Sequence, residues 1–116
     1  MTKNFSNREL QCRCGCGALP NQDFMNRVQV LRDILGTPLI VNSAMRCAEH
    51  NRAIGGAANS HHLSGNAIDL RANNGMEAYQ IGMLAFRLGF TGIGVGETFI
   101  HIDTRAVNPI LWRYLK

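Results

Sequence analysis

The sequence predicts an α+β fold, a small antiparallel sheet flanked by helices, and three observations carry that expectation. Phe24, Val28, Leu31 and Leu35 recur at helical spacing and draw an apolar stripe that Gly36 closes. Ala67-Ile68-Asp69-Leu70 and Ile100-His101-Ile102-Asp103 alternate as strands do, with every second side chain on one sheet face. Between them stands a second helical stretch, opened by Asn74 and stopped by Gly89. No repeat, low-complexity segment or linker interrupts the chain. Its 116 residues therefore read as one domain, 1–116, with a single core.

In chain order, Ser6 with Glu9 three residues later is a capping-box signature and predicts a short helix over 7–11. A longer helix is expected from Gln22 to Leu35. Pro38 to Val41 reads as a buried strand ending at Asn42-Ser43, and Cys47 to Ile54 as a short helix closed by Gly55-Gly56. Asn66 to Ala72 is the next strand. Asn74 caps a helix over 75–88, with Met76, Ile81, Leu84, Ala85 and Leu88 as its buried candidates. Strands follow near 92–96 and 99–104, the first softened by Gly92, Gly94 and Gly96. Asn108-Pro109 is a favoured helix start, so Ile110 to Leu115 is expected to form a terminal helical turn.

Composition narrows the class. A hydrophobic content of 46% and a charged content of 17% are those of a globular protein and argue against disorder. No apolar run approaches the length that spans a bilayer, so no membrane insertion is expected. The segment Met1 to Glu9 lacks the apolar stretch of a signal peptide, which predicts synthesis in the cytoplasm. The formal charge of +4 comes from scattered Arg and Lys without a nucleic-acid-binding module. Nucleic acid is thereby disfavoured as a partner, and a mild attraction to anionic surfaces remains.

The chemistry concentrates in Ser60-His61-His62-Leu63-Ser64-Gly65-Asn66-Ala67-Ile68-Asp69 and in the later His101-Ile102-Asp103. His62, Asp69 and His101 are ligand types that a catalytic zinc ion takes, three protein groups with a fourth position left for water. Gly65 permits a tight turn that folds His62 back toward Asp69. His101 and Asp103 should share one sheet face while Ile100 and Ile102 enter the core. His50, beside Glu49 in a polar helix, reads as a solvated surface residue.

The pattern Ser-x-His-x-x-Gly-x-Ala-x-Asp, filled here by Ser60, His62, Gly65, Ala67 and Asp69 and followed by a later His, resembles the zinc peptidases that cut peptidoglycan peptides. These include D-Ala-D-Ala carboxypeptidases and dipeptidases and the L-alanyl-D-glutamate endopeptidases of phage endolysins. The amino-terminal domain of hedgehog proteins shares their fold. Ser43-Ala44-Met45-Arg46 is similar to the family's upstream Ser-x-x-Arg segment, and the resemblance spans about residues 36 to 105.

The resemblance implies Zn2+ held by His62, Asp69 and His101, with His62 chosen over His61 by the Ser-x-His alignment and His61 left in the loop facing substrate. It implies that Arg46 grips a carboxylate of a peptidoglycan stem peptide, against the simpler reading of a helix-surface pair with Glu49. Ser60 either bonds the substrate backbone or steadies the turn. In relatives an acid stands three residues before the last ligand His; here that place is Thr98, and Glu97 is one residue further back. Glu97 and Asp103 are thus the two candidates for general base, with Glu97 preferred if a bulge between Gly94 and Phe99 brings it inward, Asp103 then orienting His101 or a nearby arginine. The implied protein is a monomeric endolysin that reaches the wall through a holin or host lysis. The alternatives are a non-catalytic zinc-containing binding module and a cellular D-Ala-D-Ala dipeptidase or carboxypeptidase.

Cys12, Cys14, Cys16 and Cys47 stand apart from that reading. Their spacing is unlike the paired Cys-x-x-Cys of a zinc ribbon. A structural metal bound by all four is one reading, but a disfavoured one, because side chains alternating along an extended segment do not converge on one ion. Free thiols, one disulfide from Cys47 to an amino-terminal cysteine, or a packed flap all remain open.

Overall fold

The computed structural model describes residues 1–106 and 108–114. Its elements are α1 (Asn7–Leu10), α2 (Gln22–Leu35), β1 (Val41–Ser43), α3 (Ala48–Ala53), β2 (Ala67–Arg71), α4 (Gly75–Arg87), β3 (Gly92–Val95), β4 (Phe99–Asp103) and β5 (Ile110–Arg113). The helix ends follow their local chemistry. Ser6 and Glu9 form the reciprocal capping box of α1. Asn21 accepts the amides of Asp23 and Phe24 at the start of α2, and Gly36 ends that helix in the left-handed region at φ 78°. Asn74 accepts the Glu77 amide at the start of α4.

The strands form a five-stranded sheet in the order β1-β2-β4-β3-β5. Neighbours run antiparallel except β5, which lies parallel to β3. The register sets Asp69 opposite His101 and Ala67 opposite Asp103. On the other side of β4, Gly94 stands opposite His101 and Gly92 opposite Asp103. Alternation sends Ile68, Leu70, Ile100 and Ile102 into a core shared with Phe24, Met25, Val28 and Leu31 of α2 and Ile81 and Ala85 of α4. The polar residues of β2 and β4 therefore face away from the two long helices.

Several expectations are corrected. Ile110 to Arg113 is a strand, not a helical turn; Leu115 lies outside the described residues. The Ile110 amide donates to Thr91 O and the Tyr114 amide to Val95 O, so the open edge of β3 recruits this segment. Pro109, which has no N–H, sits just before the strand, where none is needed. Met76 is 66% exposed, because it lies about 140° around α4 from Ile81, outside the apolar stripe. The first strand is shorter than expected, since only Val41 and Ser43 pair with β2. No bulge interrupts β3 and β4; Gly96 N bonds Phe99 O and closes a tight hairpin turn over Glu97 and Thr98. Residues 13–16 fold as a turn rather than an extended segment, which removes the reason for separating the cysteines. Among the described residues no helix is long and apolar enough to cross a membrane.

Candidate metal centre and active site

The loop that carries His62 is pinned before the strand begins. Successive turn bonds run from Leu63 N to Ser60 O, Ser64 N to His61 O and Gly65 N to His62 O. Gly65 adopts φ 76°, and a Cβ there would lie 2.9 Å from Asn21 N. Only glycine lets the loop press against the start of α2, where Asn21 N bonds Gly65 O. His62 is consequently buried, 2% exposed. Its Nδ1 lies 2.5 Å from Ala44 O. A carbonyl only accepts, so Nδ1 carries the proton and Nε2 presents a bare lone pair. That Nε2 has no hydrogen-bond partner, although Asp69 Oδ1 is 3.3 Å away.

His101 is held the other way round. Its Nε2 is 2.7 Å from Asp103 Oδ2, and its Nδ1 is 2.9 Å from Asp69 Oδ1. Asp103 is fully buried. Arg105 binds it through Nε at 3.0 Å, Nη2 at 2.7 Å and the backbone amide at 3.1 Å. Arg105 in turn lies over the Trp112 ring at 4.9 Å, and Trp112 packs 5.3 Å from the His101 ring. Burial pushes the Asp69 carboxyl up, but the hydrogen bond from His101 and the neighbouring His62 ring outweigh it and hold the group at about 2. Burial likewise opposes ionisation of Asp103, and His101 and Arg105 overcome it, so its pKa is lowered. For His101 burial favours the neutral ring, yet Asp103 and Asp69 together raise its pKa.

His62, Asp69 and His101 bring their donor atoms within 4.8 Å of one another. Bonds of about 2.0–2.2 Å in a tetrahedral zinc site space the ligand atoms by about 3.3 Å. The 3.3 Å and 2.9 Å separations from Asp69 Oδ1 match that spacing. The orphaned, buried His62 Nε2 is the independent sign, since such an atom is costly unless something binds it. The residues fit a zinc ion.

The other expected site residues lie as follows. Arg46 donates through Nη1 to Asn51 Oδ1 at 3.1 Å, and its Nε is buried without a partner. Among the described residues no ion pair joins it to Glu49. Asn51 is itself buried and anchored to Ala57 O. A Cβ at Gly56 would meet Asn51 Oδ1 at 2.1 Å, so the Gly55-Gly56 pair leaves room for this arrangement. Ser60 Oγ accepts the His62 amide at 3.3 Å and steadies the turn. His61 is half-buried beside His62, and His50 is half-buried on α3. Glu97 is exposed at the hairpin turn, three residues beyond Gly94 and so about 10 Å along the strand from the residue opposite His101.

Trp112, Tyr114, Arg105 and Ala44 were missed. Ile110, Trp112 and Tyr114 alternate in a way that reads as strand, but the preceding Asn108-Pro109 read more strongly as a helix start. Tyr114 lies close enough to the site that, after burial, the charge of Asp69 is the main influence raising its pKa.

The family model for peptidase M15 matches residues 3–103. No curated protein matches the chain. Among solved structures, the L-Ala D-Glu endopeptidase ChiX of Serratia marcescens is similar at 18% identity and a TM-score of 0.53. The match covers 72% of this chain and 79% of that one, and at this identity it speaks for the fold. With most of its length matched and a His/Asp/His group suited to zinc, the chain belongs to the peptidase M15 family of zinc metallopeptidases.

Proposed function

We propose that this peptidase hydrolyses peptidoglycan stem peptides, with zinc held by His62 Nε2, Asp69 Oδ1 and His101 Nδ1. The observation that carries the reading is the convergence of those three atoms, one of them an orphaned buried lone pair. A neighbour of similar fold is named an L-Ala D-Glu endopeptidase, which supports this substrate class. When bound, zinc polarises the scissile carbonyl and acidifies a water. The chain's own residues do the rest. Asp103, clamped by Arg105, keeps the His101 ring in one orientation and its proton on Nε2. Arg46 has a buried Nε without a partner and holds a substrate carboxylate. Asp103, fully buried against His101 and Arg105, serves as the positioning residue, and in this reading Glu97 is the general base, carried inward with the hairpin turn over bound peptide. In this reading the protein is a monomeric phage or prophage endolysin that meets the wall after lysis or through a holin pore.

The test is digestion of purified peptidoglycan followed by mass spectrometry of the products. Endopeptidase action releases peptides cut after L-Ala; carboxypeptidase action removes single terminal D-Ala residues. Wild-type protein that leaves every stem peptide intact, while carrying zinc, defeats the substrate assignment. His62→Ala is expected to lose both this zinc and the hydrolysis.

A further inference from the structure

A second group of ligand atoms lies outside the site just described. The sulfurs of Cys12, Cys14, Cys16 and Cys47 all fall within 4.8 Å of one another. Three of the separations are 3.4 Å for Cys12–Cys14, 3.7 Å for Cys12–Cys47 and 3.6 Å for Cys14–Cys47. Four thiolates around one ion, with Zn–S bonds of about 2.3 Å, stand about 3.8 Å apart. A disulfide needs about 2.05 Å and joins sulfurs in pairs, whereas here three are nearly equidistant.

The backbone is shaped for convergence. Gly15 and Gly17 take φ of 86° and 84°, and Cys12 N bonds Ala18 O to close the loop. The chain reverses within five residues, so alternate side chains meet instead of diverging. Two amides point at sulfur: Cys47 N lies 3.3 Å from Cys12 Sγ and His50 N lies 3.4 Å from Cys47 Sγ. Amide donors favour the deprotonated sulfur that a metal requires.

We propose that Cys12, Cys14, Cys16 and Cys47 bind a second, structural zinc ion. Zinc suits a closed tetrahedral set of four thiolates, and sulfurs packed this tightly leave no room for the bridging sulfides of an iron–sulfur cluster. Each ligating thiol gives its proton to solvent, so binding releases up to four protons per ion and tightens with pH. The ion joins the amino-terminal turn to Cys47, the cap of α3. The intervening segment is already tied down, Met45 N to Leu10 O and Arg46 N to His62 O. It presents Ala44 O to His62 and places Arg46. A cysteine-bound ion would therefore hold rigid the stretch of chain that orients the catalytic side.

The experiment uses the full chain, purified without chelator and dialysed against metal-free buffer. Zinc is quantified, and p-hydroxymercuribenzoate is added with a zinc indicator present. The expected result is two zinc ions per chain, one released in step with mercurial binding to the thiols and one retained until acid or chelator. His62→Ala is expected to keep only the mercurial-released ion, and cobalt exchange into it to show a thiolate charge-transfer band. Cys14→Ser with Cys16→Ser should abolish that ion; if the variant does not fold, the wild-type titration and the cobalt spectrum decide alone. Four thiols that react without zinc release, disulfides in the intact mass, or iron in place of zinc overturn the proposal. One zinc that survives mercurial and vanishes in His62→Ala sinks this site and leaves the peptidase centre standing. The reverse pattern, all zinc released by mercurial, defeats the peptidase centre and leaves this one.

Discussion

His62 and His101 meet the same point through opposite ring nitrogens, each fixed by what its far side touches. Ala44 O sets Nε2 of His62 as donor, and Asp103 sets Nδ1 of His101. Asp103→Asn puts an amide group into the clamp formed by His101 and Arg105, so zinc affinity should fall about 10–100-fold, read by competition with a chromophoric chelator. Glu97→Gln should instead lower turnover at least ~10²-fold with zinc retained. An active Glu97→Gln removes Glu97 as the base. Arg46→Lys keeps the charge but not the planar fork, and should reduce kcat/KM at unchanged zinc content. The metal-free protein should also depend on pH. The His101 pKa is raised above 6.5 in the folded state, so its pairing with Asp69 and Asp103 stabilises the fold below 6.5 and fades as pH rises through the raised value. Asp69, lowered to about 2, contributes above its ordinary 3.8 and loses that contribution as pH falls toward 2. Thermal melts of zinc-free protein should thus show declining stability on the alkaline side, while zinc affinity rises there as the Nδ1 proton is displaced. The residue types of the site were legible from spacing, as was Asp103 on the face of His101, but the His62 tautomer was not, because its partner Ala44 O lies 18 residues away in the chain.

At the scale of elements, β3 explains its own composition. Gly92, Gly94 and Gly96 all lie on the site face, and a Cβ at each would strike Asp103, Trp112 and Phe99 respectively, at 2.1, 2.5 and 2.1 Å. The alternation Gly-Ile-Gly-Val-Gly is a strand whose site face is left bare for side chains from its neighbours. Gly94→Ala should displace Trp112 and destabilise the protein by ~1–3 kcal/mol. Trp112 is the lone tryptophan, so a changed fluorescence emission reports the displacement directly. Unchanged emission with unchanged stability would show that β5 does not pack there. The helix expected at Ile110 failed for a related reason. Asn108-Pro109 suits a helix start or a strand entry equally, and the choice fell to the unpaired edge of β3, which no local pattern announces.

Across the whole molecule the sheet separates two chemistries. One face carries α2, α4 and the core. A wide apolar groove of about 630 Å³ lies on that side, between α4 and the β3–β5 edge, with Tyr79, Met83, Phe86 and Leu111 on its walls. The opposite face carries the imidazoles, carboxylates and Trp112. A metal on the second face joins the His62 loop, β2 and β4, so chelation should lower Tm as well as activity. An ion at 100 times its Kd contributes about 2.7 kcal/mol. Comparing wild type with His62→Ala, each with and without chelator, isolates the share of this centre. An identical chelator-induced shift in both would show that the His/Asp/His group adds nothing to stability.

Helix ends and the strand alternation of β2 and β4 were determined by sequence alone, because caps and periodicity act within a few residues, while His62, Asp69 and His101 were named from the sequence through residue types and the family resemblance. Tertiary structure decided what required residues far apart to meet. It chose β5 over a helix, set Ala44 O against His62, and drew Cys47 to a loop 35 residues away. Those outcomes depend on sheet order and loop closure, whose energies belong to pairs of segments and are written in neither segment separately.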